Sequence, residues 1–145
     1  MNNIIIGIVA LIIVVGGWFA FSNQDKTETV VQEESAVLQE GGGSYESYSA
    51  DKVARAATGS VVLFFRAGWC PTCRGVDADI RANLRSIPID FTILDIDYDT
   101  STTLKQRYGI TYQHTFVQVD AAGTLLKKWQ GSPTLAALVA EVEQQ

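Results

Sequence analysis

The strongest constraint on the fold is an apolar run of strand length that leads directly into a pair of cysteines and then into a helix. Val61–Phe65 is continuous, β-branched and aromatic, as is typical of a central strand covered on both faces. Cys70-Pro71-Thr72-Cys73 follows closely, and apolar residues then recur at three- and four-residue spacing at Val76, Ile80, Leu84 and Ile87. That spacing predicts a helix closed by Pro88. We therefore expect both cysteines at the N-terminus of a helix that leaves a buried strand.

The rest of the chain from residue 45 predicts one α/β domain. Before the cysteine segment, we expect a short helix capped by Ser49 and reaching Ala57. After it, we expect a strand over Ile89–Ile96, a short helix over Leu104–Tyr108 and a hairpin of Thr115–Val119 with Thr124–Trp129. A final helix is expected to have Ser132 as its cap and Pro133 at its first position. Strands joined by crossover helices pair in parallel, whereas a hairpin adds antiparallel strands. The expected fold class is therefore α/β, with a mixed sheet flanked by helices.

The N-terminus carries a long uncharged segment. Ile4–Phe21 contains 18 residues without a charge, and as a helix it would span about 27 Å, enough to cross a bilayer. Trp18 and Phe19 fit an interfacial anchor, whereas a cleaved signal peptide would have basic residues before the apolar run. The sequence predicts a transmembrane anchor over residues 1–21, with a cleaved signal peptide and a buried soluble helix as the alternatives.

Charge is distributed unevenly along the chain. The 16 acidic and 11 basic residues give a net charge of −5, which argues against a nucleic-acid partner. Residues 22–44 are polar, with five acidic residues and one basic residue, and contain Gly41–Gly43 near their end, which predicts a flexible tether before a domain over residues 45–145. The acidic flank and the short N-terminus favour a single-pass topology with the N-terminus in the cytoplasm and the domain outside it.

The placement of the cysteines indicates redox chemistry. Free N–H groups and the dipole of a helix N-terminus stabilise a thiolate, so Cys70 is expected to attack disulfides and Cys73, one turn later, to resolve the mixed disulfide. No cofactor beyond a redox-active Cys70–Cys73 disulfide is expected. Half of a zinc site and an inert structural disulfide are the alternatives, although one Cys-x-x-Cys and one histidine supply few zinc ligands and a small loop stabilises little.

The succession of strand, Trp69-Cys70-Pro71-Thr72-Cys73 and helix resembles the thioredoxin family, over about residues 45–145. The resemblance implies a thioredoxin fold, thiol–disulfide oxidoreductase activity, Cys70 as nucleophile and Cys73 as resolving cysteine. It also implies that Trp69 shapes the surface that meets protein thiols and disulfides, and that an upstream redox partner resets the pair. A membrane-tethered, extracytoplasmic form is similar to the bacterial thiol–disulfide proteins that act on exported proteins or in cytochrome maturation.

Three positions depart from the family pattern. Gln113-His114-Thr115 stands where the family has a hydrophobic residue, a cis-proline and threonine in a loop that binds the substrate backbone, so these three residues are the expected substrate-binding loop. Because a cis bond before a non-proline residue costs about 2.5–4 kcal/mol, we expect this loop to be trans and reshaped, or strained. Phe64 and Ile93 stand where many members carry a buried acid and its neighbouring lysine.

His114 is the single histidine of the chain, and three interpretations of it remain open. Its imidazole tunes Cys70 or accepts a proton from Cys73; or it joins Cys70 and Cys73 as a ligand for Cu(I) or zinc; or it is a loop residue without a role. The second interpretation is similar to the copper-delivering thioredoxin-like proteins and gives the rival function, a soft-metal binding or delivery protein.

Overall fold

A computed structural model of the chain describes residues 42–143. The predicted anchor, residues 1–21, lies outside the described residues, as do most of the predicted tether and the last two residues of the chain. Between residues 42 and 143, no helix has both the length and the apolar character needed to cross a membrane.

Five strands of the described part form one mixed sheet. They are β1 (Ser44–Ser47), β2 (Ser60–Arg66), β3 (Phe91–Asp97), β4 (Thr115–Val119) and β5 (Leu125–Gln130). In space their order is β1-β3-β2-β4-β5. Both pairings of β3, with β1 and with β2, are parallel, whereas β4 pairs antiparallel with β2 and with β5. The predicted mixed sheet with an antiparallel hairpin at one side is confirmed.

Helices cover both faces of this sheet. The α-helices are α1 (Pro71–Ala82), α2 (Thr102–Tyr108) and α3 (Leu135–Glu143), and the 3₁₀ helices are Ala50–Ala57 and Leu84–Ser86. On one face, Val62, Phe64 and Phe116 pack with apolar side chains of α1 and α3. On the other, the core runs from Val53 of the first 3₁₀ helix to Tyr108 of α2. The apolar residues of β2 are fully buried, as expected for a central strand covered on both sides.

The edge strand β1 is a feature that the sequence analysis did not predict. Ser44 pairs with Thr92 of β3, and the preceding Gly43 N–H donates to the carbonyl of Ile87 at 2.9 Å. A Cβ at Gly43 would collide with the carbonyl oxygens of Pro88 and Phe91. The close packing of the chain against β3 and the turn before it therefore includes Gly43, the last glycine before β1. The sequence Ser-Tyr-Glu-Ser has no apolar alternation, which is why the pattern did not reveal a strand.

The helix after the cysteines is shorter than predicted. α1 ends at Ala82, where the Asn83 side chain donates from Nδ2 to the carbonyl of Asp79 at 2.8 Å. The chain then forms the 3₁₀ turn Leu84–Ser86, and Leu84 is exposed while Ile87 stays buried. The prediction of one continuous helix to Ile87 was wrong because Asn83 bonds to the backbone and ends the helical ladder.

The final helix also begins later than predicted. Ser132 has a positive φ of 51°, so it does not cap a helix, and α3 starts at Leu135. The backbone N–H groups of the first turn are held instead by Thr134 Oγ1, which accepts from Ala137 at 3.2 Å, and by Asp79 Oδ2 of α1, which accepts from Leu135 at 2.7 Å. At the other predicted cap, Ser49 precedes a 3₁₀ helix and makes no side-chain capping bond.

Candidate active site

Cys70 lies at the junction between the segment that leaves β2 and the start of α1. It is the residue that caps α1, and Pro71 occupies the first turn, where its missing N–H costs nothing. The Cys70 Sγ atom lies 3.0 Å from the Thr72 hydroxyl oxygen. Cys70 is 4% exposed, and no disulfide joins it to Cys73 in this structure. The predicted position of the cysteine pair at a strand-to-helix junction is therefore observed.

The electrostatic surroundings of Cys70 favour its thiolate. Burial by itself raises the pKa of Cys70, but the Thr72 hydroxyl, the Cys73 thiol and the backbone N–H groups of both residues stabilise the thiolate and lower the pKa to about 7. A thiol with an ordinary pKa near 8.5 is mostly protonated at neutral pH. The Cys70 thiolate is therefore well populated at neutral pH.

Cys73 has the opposite character. It is fully buried on the inner face of α1, next to Val76 and Phe64. Burial raises the pKa of Cys73 to about 11; hydrogen bonds from the backbone of Ala67 and His114 oppose the rise, and the neighbouring Cys70 adds to it. At neutral pH Cys73 is a thiol. The two cysteines are therefore unequal: the pKa of Cys70 is lowered and that of Cys73 is raised.

Trp69 lies beside Cys70 on the surface. It is 59% exposed, and its Nε1–H donates to Asp99 Oδ2 at 3.0 Å. The Arg74 guanidinium of α1 holds the preceding loop by donating to the carbonyl oxygens of Trp69 at 3.0 Å and Gly68 at 3.3 Å. These contacts fix an exposed aromatic ring next to the Cys70 sulfur.

The loop before β4 lies against the cysteine segment. The peptide bond before His114 is trans, and His114 has a positive φ of 57°, a region that residues other than glycine seldom adopt. The His114 N–H donates to the carbonyl of Phe65 at 2.9 Å, and its Nε2 lies 2.6 Å from the carbonyl oxygen of Gly131. The loop is thus trans and reshaped, one of the two outcomes that the sequence analysis expected.

The neighbours of His114 have different exposures. Thr115 is buried, and its hydroxyl donates to the carbonyl of Tyr112 at 2.7 Å, so its side chain is already engaged within the loop. Gln113 is half-buried, and Tyr112 is 65% exposed. Of the predicted substrate-binding residues, Trp69 is open to solvent, Gln113 and His114 are partly accessible and Thr115 is not.

A charged network fixes the end of β2 from which the cysteine segment leaves. Arg66 forms a two-point ion pair with Asp95 of β3, with Nε–Oδ1 at 2.9 Å and Nη2–Oδ2 at 2.6 Å. The Tyr45 hydroxyl of β1 donates to Asp77 of α1 at 2.6 Å, and burial followed by this bond raises the pKa of Tyr45. Because planar two-point pairs hold their geometry well, this network joins β1, β2, β3 and α1 below the site.

Comparison with known proteins agrees with this geometry. The thioredoxin family model matches residues 45–144 of the chain. The chain belongs to the thioredoxin family. Membership supports a thiol–disulfide oxidoreductase kind of activity for this domain.

Three similar proteins illustrate the relationship of this domain to other thioredoxins. Thioredoxin-1 of Drosophila yakuba is 32% identical over 57 residues, an alignment that covers 39% of this chain and 53% of that protein. The crystal structure of Trxlp from Edwardsiella tarda superposes with a TM-score of 0.55 at 24% identity, covering 68% of this chain and 97% of that one. Deadhead, the germline-specific thioredoxin of Drosophila melanogaster, gives a TM-score of 0.53 at 24% identity, covering 64% and 87% of the two chains. These similarities in structure establish the fold.

The thioredoxin domain carries apolar side chains beneath its cysteines. Phe64 and Ile93 are both fully buried, and both belong to the apolar cluster that contains Cys73. The positions at which the resemblance led us to look for a buried acid and a lysine therefore hold no ionisable group. Any proton that leaves Cys73 must be taken up by another group.

The metal-binding alternative for this thioredoxin domain finds no preformed site. In the described range, no three histidine, cysteine, aspartate or glutamate side chains come together in a group that could hold a metal ion, and the His114 Nε2 atom is already bonded to Gly131. Cys70, Cys73 and His114 are neighbours, but they do not converge as three ligands.

Three contributions to the site were not predicted from the sequence. Thr72 was identified as part of the motif without a role, Asp99 holds the Trp69 ring, and the carbonyl of Gly131 fixes His114. The sequence offered a signal for only the first of these contacts. Thr72 lies two residues after Cys70, and at the start of a helix a side chain in that position can reach the cysteine sulfur. The other two contacts join residues 30 and 17 positions apart and have no local pattern.

Proposed function

We propose that this protein is a membrane-anchored thiol–disulfide oxidoreductase that exchanges disulfides with protein substrates outside the cytoplasm. The observation that carries the proposal is the unequal placement of the two cysteines: Cys70 caps α1 with its Sγ atom 3.0 Å from the Thr72 hydroxyl, whereas Cys73 is fully buried. These surroundings lower the pKa of Cys70 to about 7 and raise that of Cys73 to about 11. The thiolate is the attacking species in disulfide exchange. A pair with one available thiolate and one buried thiol is suited to attack followed by resolution.

In the proposed cycle, the Cys70 thiolate attacks a substrate disulfide and forms a mixed disulfide, and one substrate thiolate leaves. Cys73 then attacks Cys70 Sγ, the Cys70–Cys73 disulfide forms and the second substrate thiolate departs. Two electrons pass from the dithiol to the substrate. An upstream thiol partner reduces the pair again, and no other cofactor takes part.

Exposed aromatic side chains near the cysteines support a protein substrate. Trp69 and Tyr112 are both more than half exposed, and aromatic side chains are enriched where proteins meet. The His114 loop, with Gln113 beside it, supplies backbone groups near Cys73. We expect substrates to enter over Trp69 and to lie along this loop.

A trapping experiment tests this proposal. In the full chain, Cys73→Ser is expected to accumulate a mixed disulfide between Cys70 and its substrates, visible as adducts that a reductant releases. Cys70→Ser is the matched control and is expected to give no adducts. Equal adduct formation by both variants, or none by either, would overturn the proposed roles.

The proposed anchor rests on the uncharged segment Ile4–Phe21. The topology of the domain is compatible with it: β1 and β2 both run parallel to β3, so the chain enters β1 at the end of the sheet opposite to the one from which the Cys70 segment leaves. The full chain is expected to remain in the membrane fraction after alkaline carbonate washing and to be digested by protease added outside the cytoplasm. Extraction by carbonate, or protection from that protease, would contradict the location proposed.

A further inference from the structure

The exposed apolar side chains of the domain divide between its two ends. Within residues 42–143, six large apolar side chains are exposed. Trp69 and Tyr112 lie at the cysteine end, where the proposed function gives them a role in substrate binding. The other four are aliphatic, belong to the opposite end and are called here the basal patch: Leu84 (45% exposed), Ile89 (71%), Leu125 (42%) and Leu126 (54%). The proposed exchange reaction uses none of these four.

The sheet topology brings the basal patch to one end of the domain. Ile89 lies just before β3, and Leu125 begins β5, where it pairs with Val119 at the end of β4. Leu84 follows the C-terminal end of α1, the helix that begins at the cysteines. Because β2 and β3 are parallel and β4 is antiparallel to β2 and β5, the starts of β2, β3 and β5 lie together. This end is opposite to the one from which the Cys70 segment leaves.

The described chain enters the domain beside the basal patch. The Gly43 N–H donates to the carbonyl of Ile87 at 2.9 Å. A Cβ at Gly42 would lie only 3.3 Å from the carbonyl oxygen of Leu84. The entry point is therefore packed against the same short segment that presents Leu84 to solvent. Whatever the preceding residues attach to is brought to this end of the domain first.

The proposed anchor keeps a bilayer within reach of this entry point. Residues 22–41, 20 in number, separate it from the uncharged segment Ile4–Phe21. Whatever its conformation, a chain of 20 residues spans at most about 70 Å. A covalent connection of limited length turns a second contact into an intramolecular one and raises its effective concentration. A patch too small to hold a free protein on a membrane is therefore sufficient in an anchored one.

The distribution of the basal patch fits a broad surface better than a single pocket. Its members come from three separate places, namely the turn after α1, the turn before β3 and the start of β5. From β3 to β5 the sheet order contains three strand spacings, or about 14 Å. Two exposed charged residues of this end, Arg85 and Asp90, are opposite in sign. Apolar insertion, without attraction to anionic headgroups, is therefore the interaction that this end offers to a membrane.

We propose that the basal patch rests on the lipid surface and inserts its aliphatic side chains at the level of the headgroups, an inference that rests on the proposed anchor. Exposed apolar groups gain free energy by leaving water, and clusters of them mark binding surfaces. β2 spans about 20 Å from Ser60 to Arg66. The docked domain therefore holds Cys70 at about that height or more above the lipid, facing the aqueous phase, where it meets the disulfides of soluble proteins or of projecting domains.

Nitroxide labels on the full chain test this placement. Cys70 and Cys73 are both replaced by serine, and one cysteine is introduced by Ile89→Cys, by Leu126→Cys or, as the control at the other end, by Tyr112→Cys. Each chain is reconstituted in phosphatidylcholine vesicles and labelled. We expect the labels at residues 89 and 126 to lose most of their collisions with a water-soluble nickel chelate and to gain collisions with oxygen, which concentrates in lipid, whereas the label at residue 112 stays open to the chelate. Equal collision rates at all three positions would overturn the proposal.

A second set of variants tests whether the aliphatic side chains hold the domain in place. With the label introduced by Leu84→Cys, the double substitution Ile89→Glu and Leu126→Glu is expected to restore collisions with the nickel chelate, because a carboxylate resists insertion into lipid. Tyr112→Glu adds a charge at the cysteine end and is expected to leave the label protected. Continued protection in the double variant would overturn the role of the basal patch. Circular dichroism of each variant checks that the fold is retained.

Two further measurements separate lipid docking from its alternatives. Lowering the number of chains per vesicle leaves a contact with lipid unchanged but removes a contact with a second copy, so protection that disappears on dilution would overturn the lipid proposal. Alkaline carbonate washing of the same vesicles tests the anchor itself. Extraction of the chain would overturn the proposed anchor, whereas a retained chain with fully open labels would overturn the docking alone.

Discussion

At the scale of single residues, the Thr72 hydroxyl and the N-terminus of α1 give the thiols of Cys70 and Cys73 different pKa values. Cys70 and Cys73 are three positions apart, yet one caps α1 and the other faces the core. The Thr72 hydroxyl, 3.0 Å from Cys70 Sγ, stabilises charge on one sulfur alone. Hydrogen bonds to a charged group contribute about 1.5–3 kcal/mol, so this contact has a measurable consequence.

Thr72→Val is expected to raise the pKa of Cys70 from about 7 toward the ordinary value of a thiol, because it removes the hydroxyl and keeps the shape of the side chain. The pH dependence of Cys70 alkylation, measured in the Cys73→Ser background, gives the midpoint directly. Thr72→Ser keeps the hydroxyl and serves as the matched control. An unchanged midpoint in Thr72→Val would show that the Thr72 hydroxyl does not contribute to the lowered pKa of Cys70.

The sequence predicted the position of the cysteine pair at a strand-to-helix junction but not the way in which His114 is held. Cys70 and Cys73 were predicted as site residues from a local pattern of strand, motif and helix, because a helix N-terminus stabilises a thiolate. The His114 contact with Gly131 depends on the turn between β5 and α3, where Gly131 and Ser132 both have positive φ. Such a turn brings distant residues together without any periodicity that a sequence analysis can detect.

At the scale of elements, two glycines have opposite structural roles. Gly75 lies within α1 and has open space around the position of a Cβ. Gly43 lies just before β1, where a Cβ would collide with the carbonyl oxygens of Pro88 and Phe91. The first glycine weakens its helix because glycine loses more backbone entropy on folding than alanine does. The second permits a close approach between backbones.

Gly75→Ala is expected to increase the free energy of unfolding by about 0.5–1 kcal/mol, whereas Gly43→Ala is expected to decrease it by about 2 kcal/mol or more. Denaturant melts of the two variants, each compared with the wild type, measure both changes. Each variant adds one methyl group, so each is the control for the other. A neutral Gly43→Ala would contradict the close packing of the chain against residues 87–91.

Most helices and strands with a strong apolar periodicity were predicted from the sequence. The elements that were missed or misplaced have specific structural causes. β2, β4 and the short helix before Gly109 follow apolar patterns and were found close to their predicted bounds. β1 has four polar or aromatic residues on an edge and was missed. The start of α3 was misplaced because its first N–H is held by Asp79 of α1, a tertiary contact between residues 56 positions apart.

At the scale of the whole molecule, the two cysteines couple folding to pH in opposite directions. The folded-state pKa of Cys70 is lowered to about 7, so its contribution to stability is present above the unfolded pKa near 9 and is lost as the pH falls through 7. The folded-state pKa of Cys73 is raised to about 11, so its contribution is present below 9 and is lost as the pH rises toward 11.

The free energy of unfolding of the dithiol form is therefore expected to rise between pH about 7 and 9 relative to Cys70→Ser, and to fall between about 9 and 11 relative to Cys73→Ser. Denaturant melts at several pH values under reducing conditions measure these differences, with each serine variant as the reference for its own cysteine. Parallel curves for the wild type and Cys70→Ser over the lower range would contradict the lowered pKa.

The central claim is that the cysteine pair cycles between a dithiol and a disulfide, and a redox titration of the full chain against glutathione buffers tests it most directly. We predict one reversible two-electron transition between about −120 and −270 mV, the range of the known exchange proteins, with no such transition in Cys70→Ser or Cys73→Ser. A pair that stays reduced or oxidised throughout that range, or a transition that survives either substitution, would contradict the account.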